Sequence, residues 1–108
     1  MTSYKWGEIL LVNFPQTGTA ARKKRPALVI LDVGDEDIVL APITTRKRAR
    51  ADDCTLRDWS AAGLLAQSWV RLAKVACLEK ADVIRTLGKL TDYDKTTVAN
   101  AWQNLYKL

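Results

Sequence analysis

Stretches of aliphatic and β-branched residues, each bounded by turn residues, recur through the first half of the chain. They predict three strands, over residues 9–14, 27–31 and 37–43. The second strand opens at Pro26, where a missing backbone N–H is tolerated. Gly34 predicts a turn between the second and third strands, so we expect these two strands to form a hairpin.

The second half of the chain has shorter elements. The pattern predicts a short strand over 52–57, a longer strand over 68–75 and a weaker strand over 84–90. Asp58 is typical of an N-cap and Gly63 of a C-terminal cap, which predicts one helical turn between them.

Helical spacing of the apolar residues begins after Thr91. Thr91 is typical of a helix N-cap, and Asp94 follows three residues later. The apolar residues beyond it fall on one helical face: Val98, Trp102, Leu105 and Tyr106. The sequence therefore predicts a C-terminal helix that packs through this face.

The order of these elements predicts a single domain over residues 1–108 of the α+β class, mainly β with one helix. We expect a small, strongly twisted antiparallel sheet or open barrel covered by the C-terminal helix. Pattern alone does not decide between a barrel and a flatter sheet.

An apolar cluster in the irregular region bears on assembly. It comprises Trp59, Leu64, Leu65 and Trp69. A small domain buries a limited share of its surface, and large exposed apolar patches usually mark interfaces. We therefore expect a homodimer, the commonest closed assembly.

The charge of the chain is positive and unevenly distributed. Lys and Arg total 17 against 12 for Asp and Glu, which gives a net charge of +5. Two runs without an acid, residues 22–25 and 46–50, hold eight of the 17 basic residues. Net charge alone fits either a soluble surface or a polyanion partner, whereas this clustering favours the polyanion. We expect the first run to lie in a loop between the first two strands.

The chain contains no His, which removes the commonest general acid–base group and the commonest metal ligand. Its two cysteines, Cys54 and Cys77, match no zinc motif, and we expect each to be a small buried side chain. We expect neither a metal nor another cofactor. No segment resembles a signal peptide or spans a bilayer, so we expect a cytoplasmic protein without a membrane partner.

The predicted hairpin brings Arg25 and Thr44 together, because the start of one strand lies beside the end of the next. A guanidinium group binds phosphate oxygens bidentately, and a hydroxyl adds a hydrogen bond. In RNA cleavage the 2′-hydroxyl attacks the neighbouring phosphate, and fixed Arg donors stabilise the charge that develops. Arg71 interrupts an apolar strand. Alternation favours an outward side chain, and an inward one would join this site.

Several short motifs also carry a resemblance. They are Trp-Gly-Glu-Ile at 6–9, Arg-Pro-Ala-Leu-Val at 25–29, Pro-Ile-Thr at 42–44, Trp59 with Ala-Gly-Leu-Leu at 62–65, and Ser-Trp-Val-Arg at 68–71. In this order, and with the C-terminal helix, the chain resembles the MazF/PemK family of toxins from bacterial type II toxin–antitoxin pairs. The resemblance extends from about Lys5 to the C-terminus.

The resemblance implies an SH3-like barrel with a C-terminal helix, a homodimer, and ribosome-independent, metal-independent, sequence-selective cleavage of single-stranded mRNA. It implies a cognate antitoxin whose acidic, flexible tail occupies the RNA groove. By position it implies catalytic roles for Arg25, Thr44 and Arg71. We expect an RNA-binding surface around them that comprises Thr19, Arg22, Lys23, Lys24, Thr45, Arg46, Lys47, Arg48 and Ser68.

Two departures from the family pattern keep other functions open. A Gly-rich loop with Glu and Gln is replaced here by residues 19–24, and an Asp two positions after the later Arg is replaced by Ala73. The alternatives are a catalytically degenerate RNA-binding member and a non-enzymatic inhibitor of a protein target such as gyrase, as for the similarly folded toxin CcdB. Arg25 and Thr44 favour an enzyme, and Ala73 favours a degenerate member.

Overall fold

A computed structural model describes residues 2–15, 18, 20–46 and 53–108. These residues form seven strands and one α-helix, with a 3₁₀ turn on each side of the sixth strand. The elements are β1 (Glu8–Pro15), β2 (Arg22–Leu31), β3 (Asp37–Thr44), β4 (Asp53–Thr55), β5 (Trp69–Arg71), a 3₁₀ turn (Leu72–Lys74), β6 (Ala76–Glu79), a 3₁₀ turn (Lys80–Asp82), β7 (Val83–Lys89) and α1 (Asp92–Leu105). Within the described residues, no helix is long and apolar enough to cross a membrane.

The strands form an open antiparallel sheet. Its order is β4-β5-β3-β2-β1-β7, and β6 pairs with β3. The prediction of a mainly β domain with a C-terminal helix is confirmed. Among the described residues β4, β6 and β7 each pair on one side only, so the sheet does not close into a full barrel.

The first basic run lies in a strand, and the loop predicted for it is wrong. β2 begins at Arg22, five residues before the predicted start. Its early residues pair with the end of β1, Lys23 with Phe14 and Arg22 with Pro15. The backbone hydrogen bonds of this ladder outweigh the preference of a charged run for solvent, since exposed side chains can remain hydrated while the backbone pairs.

The single strand predicted over 68–75 is divided in two. β5 ends at Arg71, a 3₁₀ turn follows, and β6 begins at Ala76. β5 and β6 pair with the same edge of β3, one beside Ile43 and the other beside Leu40. Pro42 lies between these two pairings and has no N–H to donate, so an interruption of the ladder is least unfavourable there.

Both faces of the central strands are buried, because the sheet curls around one apolar core and the helix covers another. Along β1, Ile9 joins the core under the helix, and Leu10 joins the core inside the curl. The same alternation holds along β2 with Leu28 and Val29. This double burial explains why the central strands read as nearly continuous apolar runs.

Helix α1 begins as the sequence predicts. The hydroxyl of Thr91 accepts a hydrogen bond from the backbone N–H of Asp94 at 3.4 Å. Asp94 itself is fully buried, and its carboxylate accepts the backbone N–H groups of Arg57 (3.0 Å) and Asp58 (2.8 Å). The helix N-terminus is thereby fixed to the segment that follows β4.

The prediction that the side chain of Asp58 caps a helical turn is wrong. Its carboxylate accepts from the side chains of Arg57 and Thr91, and these hydrogen bonds, that from Arg57 first, lower its pKa. The predicted turn is present as backbone hydrogen bonds, including that from the N–H of Ala62 to the carbonyl of Asp58. Gly63 follows it with a φ of 91°.

The predicted apolar face of α1 is only partly buried. Val98 is fully buried and Trp102 is half-buried, whereas Leu105 and Tyr106 are each 40% exposed. Tyr106 packs its ring on Trp102, with centroids 4.2 Å apart. The last turn of the helix therefore extends beyond the core.

Two glycines allow the 58–63 turn to contact β7 through backbone atoms. A Cβ on Gly88 would overlap the carbonyl oxygen of Ala62, and a Cβ on Gly63 would overlap that of Leu87. Gly88 has an ordinary backbone conformation, so only this close approach requires glycine there.

We predict that Gly88→Ala destabilises the protein by about 3 kcal/mol, because a methyl group must displace backbone rather than a flexible side chain. Gly34→Ala is the matched control. Gly34 has a φ of 95° but open space around its Cβ, so only conformational strain of about 1 kcal/mol applies. Chemical denaturation of both variants measures the difference. A smaller loss for Gly88→Ala than for Gly34→Ala would contradict the close approach.

Candidate functional site

A basic groove lies where β2 begins and where β3 and β5 end. Its volume is about 420 Å³. It is lined by Lys23, Lys24, Arg25, Pro26, Ile43, Thr44, Thr45, Arg46 and Arg71. Five of these described lining residues are cationic and none is acidic, so the groove favours an anion.

Strand pairing brings the groove residues together. β2 and β3 pair from Ala27 opposite Pro42. Arg25 and Thr44 lie two residues beyond this pair on their strands, and both line the groove. β5 then pairs with the end of β3, with Trp69 opposite Thr44. The predicted hairpin and the proximity of Arg25 and Thr44 are confirmed, while their catalytic roles stay predictions.

Arg25 offers an unpaired guanidinium to this groove. Its side chain is half-buried, and within the described residues it forms no ion pair and no side-chain hydrogen bond. The neighbouring Lys24 is exposed and also lines the groove. An anion that enters would therefore find donors already free of protein partners.

Thr44 has both a turn role and a free donor. Its Oγ1 accepts a hydrogen bond from the backbone N–H of Arg46 at 3.1 Å. Because the hydroxyl oxygen is the acceptor, its own proton remains available to donate to a ligand in the groove. The backbone contact fixes the direction of this hydroxyl.

Arg71 lies at the groove, and the outward orientation favoured by alternation is wrong. Its side chain is 16% exposed. Its Nε lies 3.6 Å from Oδ1 of Asp53, a carboxylate that is 2% exposed. Asp53 lies directly opposite Arg71 in the pairing of β4 with β5. The carboxylate of Asp53 on the neighbouring strand holds the Arg71 side chain inward. The alternation of residues within β5 carries no information about this charge.

Several residues predicted to bind RNA lie elsewhere. Arg22 does not line the groove and pairs with Asp82 at 2.8 Å. Ser68, also predicted to bind RNA, is buried and does not line the groove, and its hydroxyl donates to the carbonyl of Ala66 at 2.8 Å. The predictions for Thr19, Lys47 and Arg48 lie outside the described residues.

Sequence reasoning missed three residues at this site. Pro26 and Ile43 supply its apolar surface, and Asp53 lies behind Arg71. Pro26 and Ile43 belong to motifs already noted in the sequence, but their exposure to a groove depends on where the strand ladders stop. Asp53 lay inside a predicted strand whose pairing partner was unknown.

The described residues offer no metal site, since no three of their His, Cys, Asp and Glu side chains come together. Cys54 is buried as predicted, and burial raises the pKa of its thiol. Cys77 is exposed on β6, so the prediction that it is buried is wrong.

The fold and groove together define a small antiparallel β protein that presents fixed cationic donors to an anion. The family model of PemK-like, MazF-like toxins of type II toxin–antitoxin systems matches residues 5–106. The chain therefore belongs to this toxin family.

Solved structures share the fold over almost the whole chain. The Mycobacterium tuberculosis toxin MazF-mt6 superposes with a TM-score of 0.75 at 23% identity, covering 94% of this chain and 97% of that one. MazF from Deinococcus radiodurans gives 0.77 at 20% identity, with 100% of both chains covered.

A mycobacterial endoribonuclease in complex with its cognate antitoxin gives a TM-score of 0.78 at 16% identity, covering 98% of this chain and 97% of that one. At such identities the likeness establishes the fold alone. No curated protein matches the chain significantly.

Proposed function

We propose that this toxin is a sequence-selective, ribosome-independent endoribonuclease that binds single-stranded mRNA in the basic groove. The observation that carries the proposal is the meeting of Arg25, Thr44 and Arg71 around one cavity. Guanidinium and hydroxyl donors, with no carboxylate among the described lining residues, suit a phosphodiester. Family membership supports the same class of reaction, as does the likeness in fold to a mycobacterial endoribonuclease.

The proposed reaction is an intramolecular transfer within RNA. The 2′-oxygen forms a bond to the adjacent phosphorus and loses its proton, while the bond from phosphorus to the 5′-oxygen breaks and that oxygen gains a proton. The products are a 2′,3′-cyclic phosphate and a 5′-hydroxyl. No oxidant, reductant or further co-reactant enters the balance.

The groove residues act on the charge that develops at phosphorus. Arg25 and Arg71 donate to the non-bridging oxygens, which carry more negative charge in the transition state than in the substrate. Thr44 adds a directed hydroxyl donor. Since the chain has no His, proton transfer falls to other groups or to water.

We also propose that an acidic segment of a cognate antitoxin occupies the same groove. One neighbour in fold is described as bound to its cognate antitoxin. Five cations line a groove of limited volume, so two extended anionic chains would compete for the same donors.

A homodimer completes the proposal, although the apolar cluster that suggested it is partly internal. Leu64 is buried within one chain and Trp59 packs against its core, whereas Leu65 is 98% exposed. Apart from the basic groove, an apolar hollow of about 190 Å³ lies beside α1. It is lined by Trp6, Ile30, Val98, Ala99, Trp102 and Gln103. Exposed aromatic surface of this kind favours burial against another chain.

We predict that Arg25→Ala slows cleavage of single-stranded RNA by about 100- to 1,000-fold, the usual effect of removing a donor to developing charge. Thr44→Ala should also slow it. Arg85→Ala is the control, because Arg85 is exposed on β7 away from the groove. Gel analysis of RNA ends measures the rates, in buffer with and without a chelator. We expect the chelator to leave the rate unchanged.

Four results would contradict this proposal. Full activity of Arg25→Ala would remove Arg25 from it. Loss of wild-type cleavage in chelator would overturn metal independence. RNA binding without any cleavage would identify a degenerate member, and a protein that binds no RNA would favour a protein target.

We predict that replacing Lys23 and Lys24 by Ala weakens RNA binding and lowers the slope of log Kd against log salt. The slope should fall by about 1.4, since each phosphate contact on a single strand contributes about 0.7. Lys107→Ala at the exposed C-terminal end is the control. Fluorescence anisotropy over a salt series measures both slopes. An unchanged slope in the double variant would place the RNA elsewhere.

We predict that the protein sediments at micromolar concentration as a dimer of its 12.1 kDa chain. Trp102→Glu should shift it toward monomer, because the charge would enter the apolar hollow. Asn104→Glu introduces the same charge at an exposed helix residue that does not line the hollow, and is the control. A wild-type monomer with cleavage intact would defeat the dimer.

A further inference from the structure

Asp53 is a buried carboxylate directly behind the groove. Its side chain is 2% exposed, and neither oxygen accepts a hydrogen bond from any described residue. The cation that approaches it is Arg71, whose Nε lies 3.6 Å from Oδ1. A buried charge is unfavourable unless it is paired, so the presence of Asp53 here calls for a compensating role.

The contact involves only one side of the guanidinium of Arg71. Its Nε is buried and faces Asp53. Its two terminal nitrogens are accessible and form no hydrogen bond with any described residue. Arg71 also lines the groove. The carboxylate therefore holds the rear of the side chain and leaves its terminal donors for a ligand.

Backbone pairing determines this arrangement from both sides. Asp53 and Arg71 are opposite residues of β4 and β5, and the preceding residue, Val70, pairs with both Cys54 and Ile43. The backbones of Asp53 and Arg71 are thus held in a sheet whose neighbouring residues Val70 and Ile43 are buried. A flexible Arg on a loop would lose more conformational freedom when it bound a phosphate.

We propose that Asp53 is a positioning residue for RNA cleavage, which acts by orienting Arg71 toward the scissile phosphate. The inference rests on the proposed function for its catalytic consequence. Asp53 touches neither the groove surface nor the reacting atoms. Its effect passes through Arg71, and this dependence distinguishes it from a residue that only stabilises the fold.

The test is a double-mutant cycle with Asp53→Asn and Arg71→Ala. We expect Asp53→Asn to lower kcat by about 10- to 100-fold, since a misplaced donor loses much of its effect, and to change KM little. In the Arg71→Ala background the same substitution should have no further effect on kcat. Asp53→Glu keeps the charge and should retain an intermediate kcat, and it replaces Asp53→Asn in the cycle if that variant fails to fold.

Asp32→Asn is the matched control for loss of a buried ion pair. Asp32 is 1% exposed and lies 2.9 Å from the Nζ of Lys80, beyond the opposite end of β3 from Thr44. Hydrogen bonds from the backbone of Tyr4, with the ion pair to Lys80, lower the pKa of Asp32 to about 2. Asp32→Asn should lower the melting temperature and leave kcat unchanged.

Two results would overturn the inference: wild-type kcat in Asp53→Asn, or an equal loss of kcat in the wild-type and Arg71→Ala backgrounds. If the wild-type protein does not cleave RNA at all, the proposed function fails, and NMR of the Arg71 side chain decides the positioning separately. A slowly exchanging Nε–H signal that is lost in Asp53→Asn supports the held guanidinium. An identical signal in both proteins rejects it.

Discussion

Strand β3 organises both the fold and the groove, because three other strands pair with it. β2 follows one edge, and β5 and β6 divide the other edge between them. The pairing with β2 ends two residues before Arg25 and Thr44, which both line the groove, and the short pairing with β5 brings Arg71 to the same groove. A shift of one residue would exchange the residues that β3 presents to the two apolar cores and would separate these side chains. The geometry of the groove therefore depends on the hydrogen bonds of a single strand.

The local sequence pattern was sufficient to predict the elements that depend on neighbouring segments of the chain. The first three strands, the hairpin and the Thr91 cap all follow from residues close in sequence. The boundary between β5 and β6 could not be predicted from nearby residues, because buried Leu72 continues the apolar pattern through the 3₁₀ turn. The start of β2 was also missed, since the backbone of a charged run can pair while its side chains stay in water.

The site was predictable to the extent that it depends on adjacent strands. Arg25 and Thr44 are neighbours in a hairpin, and their proximity follows from the sequence. The orientation of Arg71 depends on Asp53, which the pairing of two short strands brings opposite it. Ser68 shows that local contacts can also mislead a prediction, because a hydroxyl in a recognised motif can donate its hydrogen bond to a nearby carbonyl instead of a ligand. Long-range pairing and local hydrogen bonding thus decide what the pattern leaves open.

The cations of β2 lie beyond the point where its ladder with β3 begins, whereas the apolar cores lie within the paired region. Replacing Lys23 or Lys24 would remove no core contact and no pairing with β3. The groove can therefore diversify in evolution while the scaffold remains under separate selection.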